Sequence, residues 1–551
     1  MGARHETLGL YGLAVVALGA SGLAWASAPP PEPDEAVELA VVAEHAPGLR
    51  TAPHTEPAGE RTSAPSVLVA LPPVVPVFRI DEPVATGSIA ELVLPEPPAA
   101  SAVVRPEDAV AGAIQNRLGQ IAKAISISRL PRRDREAVAE FYASRDGAPL
   151  WIGTNGWTAR GAALIARLGR ATEEGLDPAG YAPPIMPVPG RPDTPAELAD
   201  AELKLSALAA LYARDARGGR IDPARLSALL TPKLDLPAAD AVLHRLAAAS
   251  DVGAALAAYN PDHAGYRALR AKLADVRRDR PSPAPMVRGP APRDLVTHSI
   301  AVLDDVPVLR SPSINPARLE SDIIANMERW RWLPAELGAK HVSVNIPEFR
   351  LQLIEGGRVA HEARVITGKP ETPTPVFSGV MEYAVVNPSW YIPPSILKKE
   401  ILPGLAADPS YAERRGYQVI RRGNQISVRQ PPGERNALGF IKFMFPNGHA
   451  VYLHDTPNRN LFGSGRRAFS HGCVRVENPF QLADFVLGSE WTESRLKRLI
   501  GRGERTIFLP EKLPVHLTYF TIEVAASGEL RSFEDIYGHN RRVRAALGLG
   551  V

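Results

Sequence analysis

The chain has 551 residues, 45% of them hydrophobic, which is enough for two or three domains with real cores and excludes a disordered protein. Lysine and arginine total 63 against 60 acidic residues, and the formal charge of +3 makes no electrostatic case for nucleic acid. A single cysteine, Cys473, excludes an internal disulfide and the multi-thiolate zinc sites.

The N-terminus carries Arg4 and His5 and then an uncharged stretch from Leu8 to Ala28. Residues 1–28 therefore read as a signal peptide or a membrane anchor. Ala26-Ser27-Ala28 has the small-x-small form of a cleavage site, but the prolines from Pro29 to Pro31 hinder cleavage, and 21 apolar residues can span a bilayer. Either reading exports the rest of the chain. Between Pro29 and Pro98 there are 15 prolines, so residues 29–106 read as a disordered Pro/Ala-rich linker.

From residue 107 the period becomes helical. Ile114, Leu118, Ile121 and Ile125 share one face, Val138, Phe141 and Tyr142 another, and Leu203, Ala207, Leu211 and then Tyr266, Leu269, Leu273, Val276 repeat the spacing. Residues 107–280 are expected to form an all-helical domain, with Phe141, Tyr142 and Trp151 in its core. Prolines punctuate a second linker over 281–312. A helix is expected over 316–332. After it the period falls to two at Val342, Val344 and Ile346, and Glu355-Gly356-Gly357 marks a hairpin turn. Further strands are expected at 380–386, 418–421, 425–429, 450–453, 506–509 and 515–524, so residues 313–545 read as a β-rich domain with inserted helices. The fold class is multidomain α + β.

Cys473 lies in Ser470-His471-Gly472-Cys473-Val474-Arg475, downstream of His454 and Asp455. A thiol needs a neighbouring base to supply thiolate at neutral pH, and His454, reaching it from a separate strand, is the expected general base. Gly472 allows close backbone approach, and the amides of Gly472 and Cys473 could form an oxyanion hole. The planar fork of Arg475 suits a substrate carboxylate. On chemistry alone a buried inert thiol is an equal alternative. No metal or cofactor is expected.

This segment resembles the signature of the L,D-transpeptidase catalytic domain, the YkuD-like family, in which a histidine precedes Ser/Thr-His-Gly-Cys-x-Arg. Here His454 stands sixteen positions before Ser470. Asn326-Met327-Glu328-Arg329-Trp330-Arg331-Trp332-Leu333-Pro334, Asn387-Pro388-Ser389-Trp390, and the run from Asn436 to Phe443 are similar to the large Gram-negative subgroup that joins this domain to a helical scaffold. So are Phe141-Tyr142, Leu150-Trp151 and Gly175-Leu176-Asp177-Pro178.

The resemblance implies peptidoglycan chemistry in the periplasm and cell-wall biogenesis. Cys473 would form an acyl-enzyme with a stem tetrapeptide and release D-alanine. The acyl group would pass to an amine, making 3-3 cross-links, or to water as in an L,D-carboxypeptidase. A non-catalytic peptidoglycan-binding scaffold is the third reading. His471, Gly472 and Ser470 would shape the acyl pocket, Arg475, Trp390 and Tyr391 would bind substrate, and Asp455 is a candidate orienting residue for His454. A lid subdomain is expected over about 387–445. The expected partners are peptidoglycan stem peptides and, through the N-terminus, the inner membrane. Residues 281–312 are too few for the separate peptidoglycan-binding module that many relatives carry.

Overall fold

The computed structural model describes residues 106–120, 127–153, 156–186, 193–279, 316–423 and 425–550. The expected signal or anchor, the linker of residues 29–106 except its last residue, and the linker at 281–312 lie outside the described residues.

The helical region is built from α1 (Pro106–Leu118), α2 (Arg132–Ala143), α3 (Ala159–Gly169), α4 (Pro195–Gly218), α5 (Ala239–Ala248) and α6 (Ala264–Arg278). Helix α4 is the axis. Thr194 caps it with a full capping box to Glu197, Pro195 takes the first turn, and a run of alanine and leucine buries most of its length. Small side chains let neighbours close on it from several sides. Phe141, Tyr142 and Trp151 all belong to this core, as their helical spacing predicts. One departure from an all-helical module is a two-residue hairpin, Ile152–Gly153 with Gly156–Trp157.

Within this core Glu202 is fully buried and carries a polar knot. Its Oε1 accepts from the Tyr142 hydroxyl at 2.6 Å and the Leu150 amide at 2.5 Å, and its Oε2 accepts from the Trp151 amide at 3.0 Å. Burial raises its carboxyl pKa, and these donors offset part of that cost.

The β-rich region contains β1 (Lys340–Asn345), β2 (Arg350–Glu355), β3 (Arg358–Gly368), β4 (Phe377–Val386), β5 (Trp390–Tyr391), β6 (Gln418–Arg422), β7 (Gln425–Gln430), β8 (Ile441–Met444), β9 (Leu453–His454), β10 (Ala468–Ser470), β11 (Val474–Val476) and β12 (Arg505–Thr518). Nine of these form one sheet in the order β10-β3-β11-β9-β8-β4-β12-β1-β2, and β2 also pairs with β3, so the sheet closes on itself. Its interior is the alternate-residue set of those strands, including Val342, Val344, Leu353, Val365, Phe443, Leu453, Val474 and Val515. The strands expected at 506–509 and 515–524 are one long strand, β12, with a register shift between Phe508 and Leu513, followed by Ile522–Val524. Pro510 falls inside that irregularity, where no ladder donor is needed.

Strands β5, β7 and β6 make a separate three-stranded sheet, with short helices from Pro394 to Arg414 and a small core of Ile392, Ile401 and Val428. This insert is narrower than the lid expected over 387–445. Ile441–Met444 has already rejoined the main sheet, paired with β4 and β9.

Helix α7 (Pro316–Trp330) packs on α6 and on the C-terminal helix α8 (His539–Ala546). Tyr266, Leu269 and Leu273 of α6 share a cluster with Ile323, Ile324 and Met327 of α7 and with Ile522. Just past α7, Arg331 is fully buried and donates to the Glu174 carbonyl and the Tyr266 hydroxyl, each at 2.7 Å. Leu230 forms a parallel bridge to Val376. Helices and sheet thus share cores and belong to one compact unit. Among the described residues no helix is long and apolar enough to cross a membrane.

Replacing Glu202 by alanine strands buried donors, each worth about 1–3 kcal/mol. The expected outcome is a loss of about 3 kcal/mol or more in urea-denaturation stability, with the secondary structure retained below the transition.

Candidate active site

The site is made where two short strands meet. β9 and β11 run parallel, with Leu453 opposite Val474 and His454 opposite Arg475, and β11 is held from its other side by β3. The Val474 amide donates to the Tyr452 carbonyl at 3.2 Å, which draws the segment before β11 alongside the segment before β9. Cys473 therefore emerges one residue ahead of a fixed strand. It is a free, half-buried thiol, and its Sγ faces the Ala450 carbonyl at 3.9 Å.

His454 is buried at 4% exposure. Its Nδ1 donates to the carbonyl of Asp455 at 2.5 Å, which leaves Nε2 as the lone-pair nitrogen. Burial first, and then the positive charge of Arg475, push its pKa down to about 3. The imidazole is a neutral acceptor at neutral pH. Burial pushes the Cys473 thiol up, against the pull of the Tyr452 amide and hydroxyl and of Arg475. The resting pair is thus thiol plus neutral imidazole, the form in which a base can take a proton as the sulfur attacks.

Asp455 acts differently from the expected orienting carboxylate. Its side chain accepts from the Phe440 amide at 2.9 Å and from Arg459 at 2.8 Å, so it ties two loops together. The group that orients His454 is the Asp455 backbone carbonyl, because the carboxylate is already spent on those donors. Gly439, at φ +61°, leaves room for it: a Cβ there would lie 2.4 Å from the Asp455 carboxyl carbon.

Ser470 and Gly472 shape the loop. The Ser470 hydroxyl donates to the Cys473 carbonyl at 2.6 Å and accepts from the Gly472 amide at 3.1 Å. The Gly472 amide is therefore engaged inside the loop, which corrects the expectation of a two-amide oxyanion hole. The Cys473 amide is the member of that pair without an acceptor among the described residues. Gly472 sits at φ +118°, a conformation that costs side chains other than glycine. Arg475 is half-buried, and its Nε has no hydrogen-bond partner.

Trp390 and Tyr391 lie on the insert. The Trp390 indole reaches the Tyr452 hydroxyl, which lies beside the thiol. Tyr391 is 53% exposed under the Arg429 guanidinium and is not brought to the thiol. His471 meets the insert as well, its Nε2 lying 2.7 Å from Glu400 Oε1.

Three residues that sequence reasoning missed complete the site. Tyr452 shares a strand face with His454, their rings 5.6 Å apart, a signal available from the period of two. Thr374 is fully buried, donates to the Gly472 carbonyl at 2.8 Å and accepts from the Gly368 amide at 2.8 Å. Glu400 is the third. No sequence pattern marks Thr374 or Glu400, since each acts across about a hundred or seventy residues of chain. Among the described residues no group of three or more His, Cys, Asp or Glu is placed to hold a metal ion.

A solvent-reachable thiol beside a buried neutral imidazole, on the rim of a closed sheet behind helices, defines the class: a candidate cysteine acyl-transfer domain carried on a helical module. Residues 339–508 match the family model of the L,D-transpeptidase catalytic domain, YkuD, and residues 136–273 match that of the Scaffold domain. The chain carries a YkuD-family L,D-transpeptidase catalytic domain preceded by a Scaffold domain.

A Haemophilus influenzae protein provisionally named an L,D-transpeptidase is 34% identical over 255 residues, 43% of this chain and 51% of that protein. The chain thus spans about half the length of this curated relative. Solved structures that it resembles include an L,D-transpeptidase from Mycobacterium smegmatis, at 14% identity over 33% of this chain and 58% of that one with a TM-score of 0.18. Another is an Enterococcus faecium L,D-transpeptidase mutant, at 17% identity over 34% and 52% with a TM-score of 0.16.

Replacing Thr374 by valine keeps its volume and removes both hydrogen bonds. We expect a loss of about 2–4 kcal/mol in denaturant stability, with faster alkylation of Cys473 by iodoacetamide, because a loosened loop relieves the burial that holds the thiol's pKa up. A second expectation concerns pH. His454 is held at about 3, and His516 and His539, also buried, at about 4. Below an unfolded value of about 6.5 the unfolded chain binds protons that the folded chain refuses, so stability is full above that pH and falls as pH drops towards 4. The buried Glu523 carboxyl, raised to about 7, works in the opposite sense and offsets part of this loss, so urea midpoints measured from pH 7.5 to 4.5 should decrease by less than the three imidazoles alone would give.

Proposed function

We propose that the chain is a peptidoglycan L,D-transpeptidase acting through a Cys473 acyl-enzyme. The observation that carries this is the parallel strand pairing that sets a buried, neutral, carbonyl-oriented His454 on the strand next to the one that the half-buried Cys473 thiol precedes, inside the segment that matches the L,D-transpeptidase catalytic domain. Cys473 attacks the carbonyl of the third residue of a stem tetrapeptide while His454 takes the thiol proton. Collapse of the tetrahedral intermediate breaks the peptide bond, and His454 returns the proton to the departing D-alanine amine.

The remaining groups have consistent roles. The Cys473 amide is the donor available for the oxyanion. Arg475, with its unbonded Nε and its charge beside the thiol, favours thiolate over thiol and can hold a stem carboxylate. Trp390 and the insert cover the donor side, the role of the expected lid. The acyl group then passes to an amine of a second stem, which gives a 3-3 cross-link. This chemistry takes place on cell-wall polymer, so the catalytic region is exported, and the uncharged stretch from Leu8 to Ala28 is the segment that would export or tether it.

An L,D-carboxypeptidase shares every step up to the acyl-enzyme and differs only in using water. Product analysis separates the two. Full-length protein incubated with tetrapeptide muropeptides is expected to yield cross-linked dimers by mass spectrometry. Tripeptides alone would make it a hydrolase. Cys473→Ala is expected to abolish both products, and His454→Ala to lower the rate by roughly a hundred- to ten-thousandfold, the range for a general base. Full activity in the Cys473→Ala protein would overturn the mechanism.

A further inference from the structure

We propose that Glu400 and His471 form a second acid–base unit in this site, one that removes a proton from an ammonium acceptor before the acceptor attacks the acyl-enzyme. The inference rests on the transpeptidase reading above and adds to it the residues that make an amine usable as acceptor.

The unit is built by the insert. Leu397–Ile401 form a single π-type turn, which spends one more residue per turn than an α-helix. Ile401 is thereby buried in the core of the insert while Glu400 faces out toward the catalytic loop. Its Oε1 lies 2.7 Å from His471 Nε2. A carboxylate can only accept, so Nε2 carries the hydrogen and Nδ1 carries the lone pair. Nδ1 makes no hydrogen bond among the described residues. A carboxylate that fixes the tautomer and orientation of an imidazole, and stabilises the imidazolium when it forms, is the arrangement that makes histidine an effective base in hydrolytic triads.

Accessibility divides the labour between the two histidines. The side chains of His471 and Glu400 are 35% and 47% exposed, where an incoming acceptor can reach them. His454 is 4% exposed and lies on the strand beside the one that Cys473 precedes. With a pKa held at about 3 it is a very weak base toward a free alkylammonium, whose pKa is about 10. An amine acceptor has two protons to lose, one before attack and one after, and the site holds two imidazoles.

The steps balance. The acceptor R–NH3+ gives one proton to His471 Nδ1, beside Glu400. The freed lone pair of R–NH2 attacks the thioester carbonyl. The C–N bond forms, the C–S bond breaks, and its electron pair returns to Sγ. The proton shed by the new amide nitrogen passes through His454 Nε2 to Sγ, and His471 releases its proton to water. Glu400 touches neither substrate nor thioester and is a positioning residue; His471 is the catalytic one. Water needs no such prior deprotonation, so the unit bears on which acceptor is used.

The test compares two acceptors in the full-length protein, measuring the single-turnover release of D-alanine and the transfer that follows. One acceptor is diaminopimelate, an ammonium at pH 7; the other is hydroxylamine, already largely uncharged there. In Glu400→Gln, the ratio of transfer to D-alanine release should fall about tenfold or more for diaminopimelate at pH 7, with no comparable fall for hydroxylamine. The deficit should shrink as pH rises toward the acceptor's own pKa of about 10. His471→Asn should show the same split. Equal slowing of both acceptors, or slowing of neither, would overturn the proposal. Absence of D-alanine release from the unsubstituted protein would instead overturn the transpeptidase reading on which it stands.

Discussion

The site depends on one short parallel pairing, Leu453–His454 beside Val474–Val476. Two residues of contact would not hold on their own. They hold here because β9 is also paired with β8 and β11 with β3, inside a sheet whose ends join through β2 and β3. Closure converts a weak local pairing into a fixed distance between two loops that are nineteen residues apart in the chain. The thiol lies just outside the last ordered pair, and the imidazole lies within it.

The electrostatics of the pair follow from that placement. His454 is deep enough that its charged form is strongly disfavoured, and its Nδ1 is occupied by a carbonyl of the same turn. The thiol is shallower and lies among N–H and O–H donors and a guanidinium, so a thiolate would be met by ready-made partners. Little charge is present at rest, and the groups that would receive it are in position beforehand. The insert adds a wall to this site through Trp390, which reaches the Tyr452 hydroxyl, and Glu400, which meets His471 of the loop that carries Cys473.

Helices and sheet share their buried surface. Arg331, Glu174 and Tyr266 form a buried polar contact between α7 and the helical region, and Trp330 stacks on Phe520 at 4.4 Å. A polar network at such a place is costly unless every partner is present, so it favours one relative arrangement over others. The outer face of β1, with buried His341 and Asn345, lines a cavity that Gly265, Leu269 and Trp330 from the helices cover.

Much of this was legible in the residues. Period 3.6 marked the helices and period 2 the inner face of the sheet, because burial on one side imposes those spacings whatever the partner is. The lone cysteine, its glycine and the two histidines marked a candidate nucleophile, because thiol chemistry needs a base and close backbone approach. The single strand spanning Pro510, the main-sheet pairing of Ile441–Met444 and the engaged Gly472 amide were not legible, since each depends on a neighbour supplied by a distant segment. The same holds for the Asp455 carboxylate, which Phe440 and Arg459 claim, and for Thr374 and Glu400, which act on the nucleophile loop across the fold. The sequence by itself determined which reactive groups are present and which faces are buried, because those are properties of residue type and local spacing. Only the tertiary structure decided which hydrogen-bonding groups are already satisfied and which remain free for a substrate, because that depends on contacts between segments far apart in the chain.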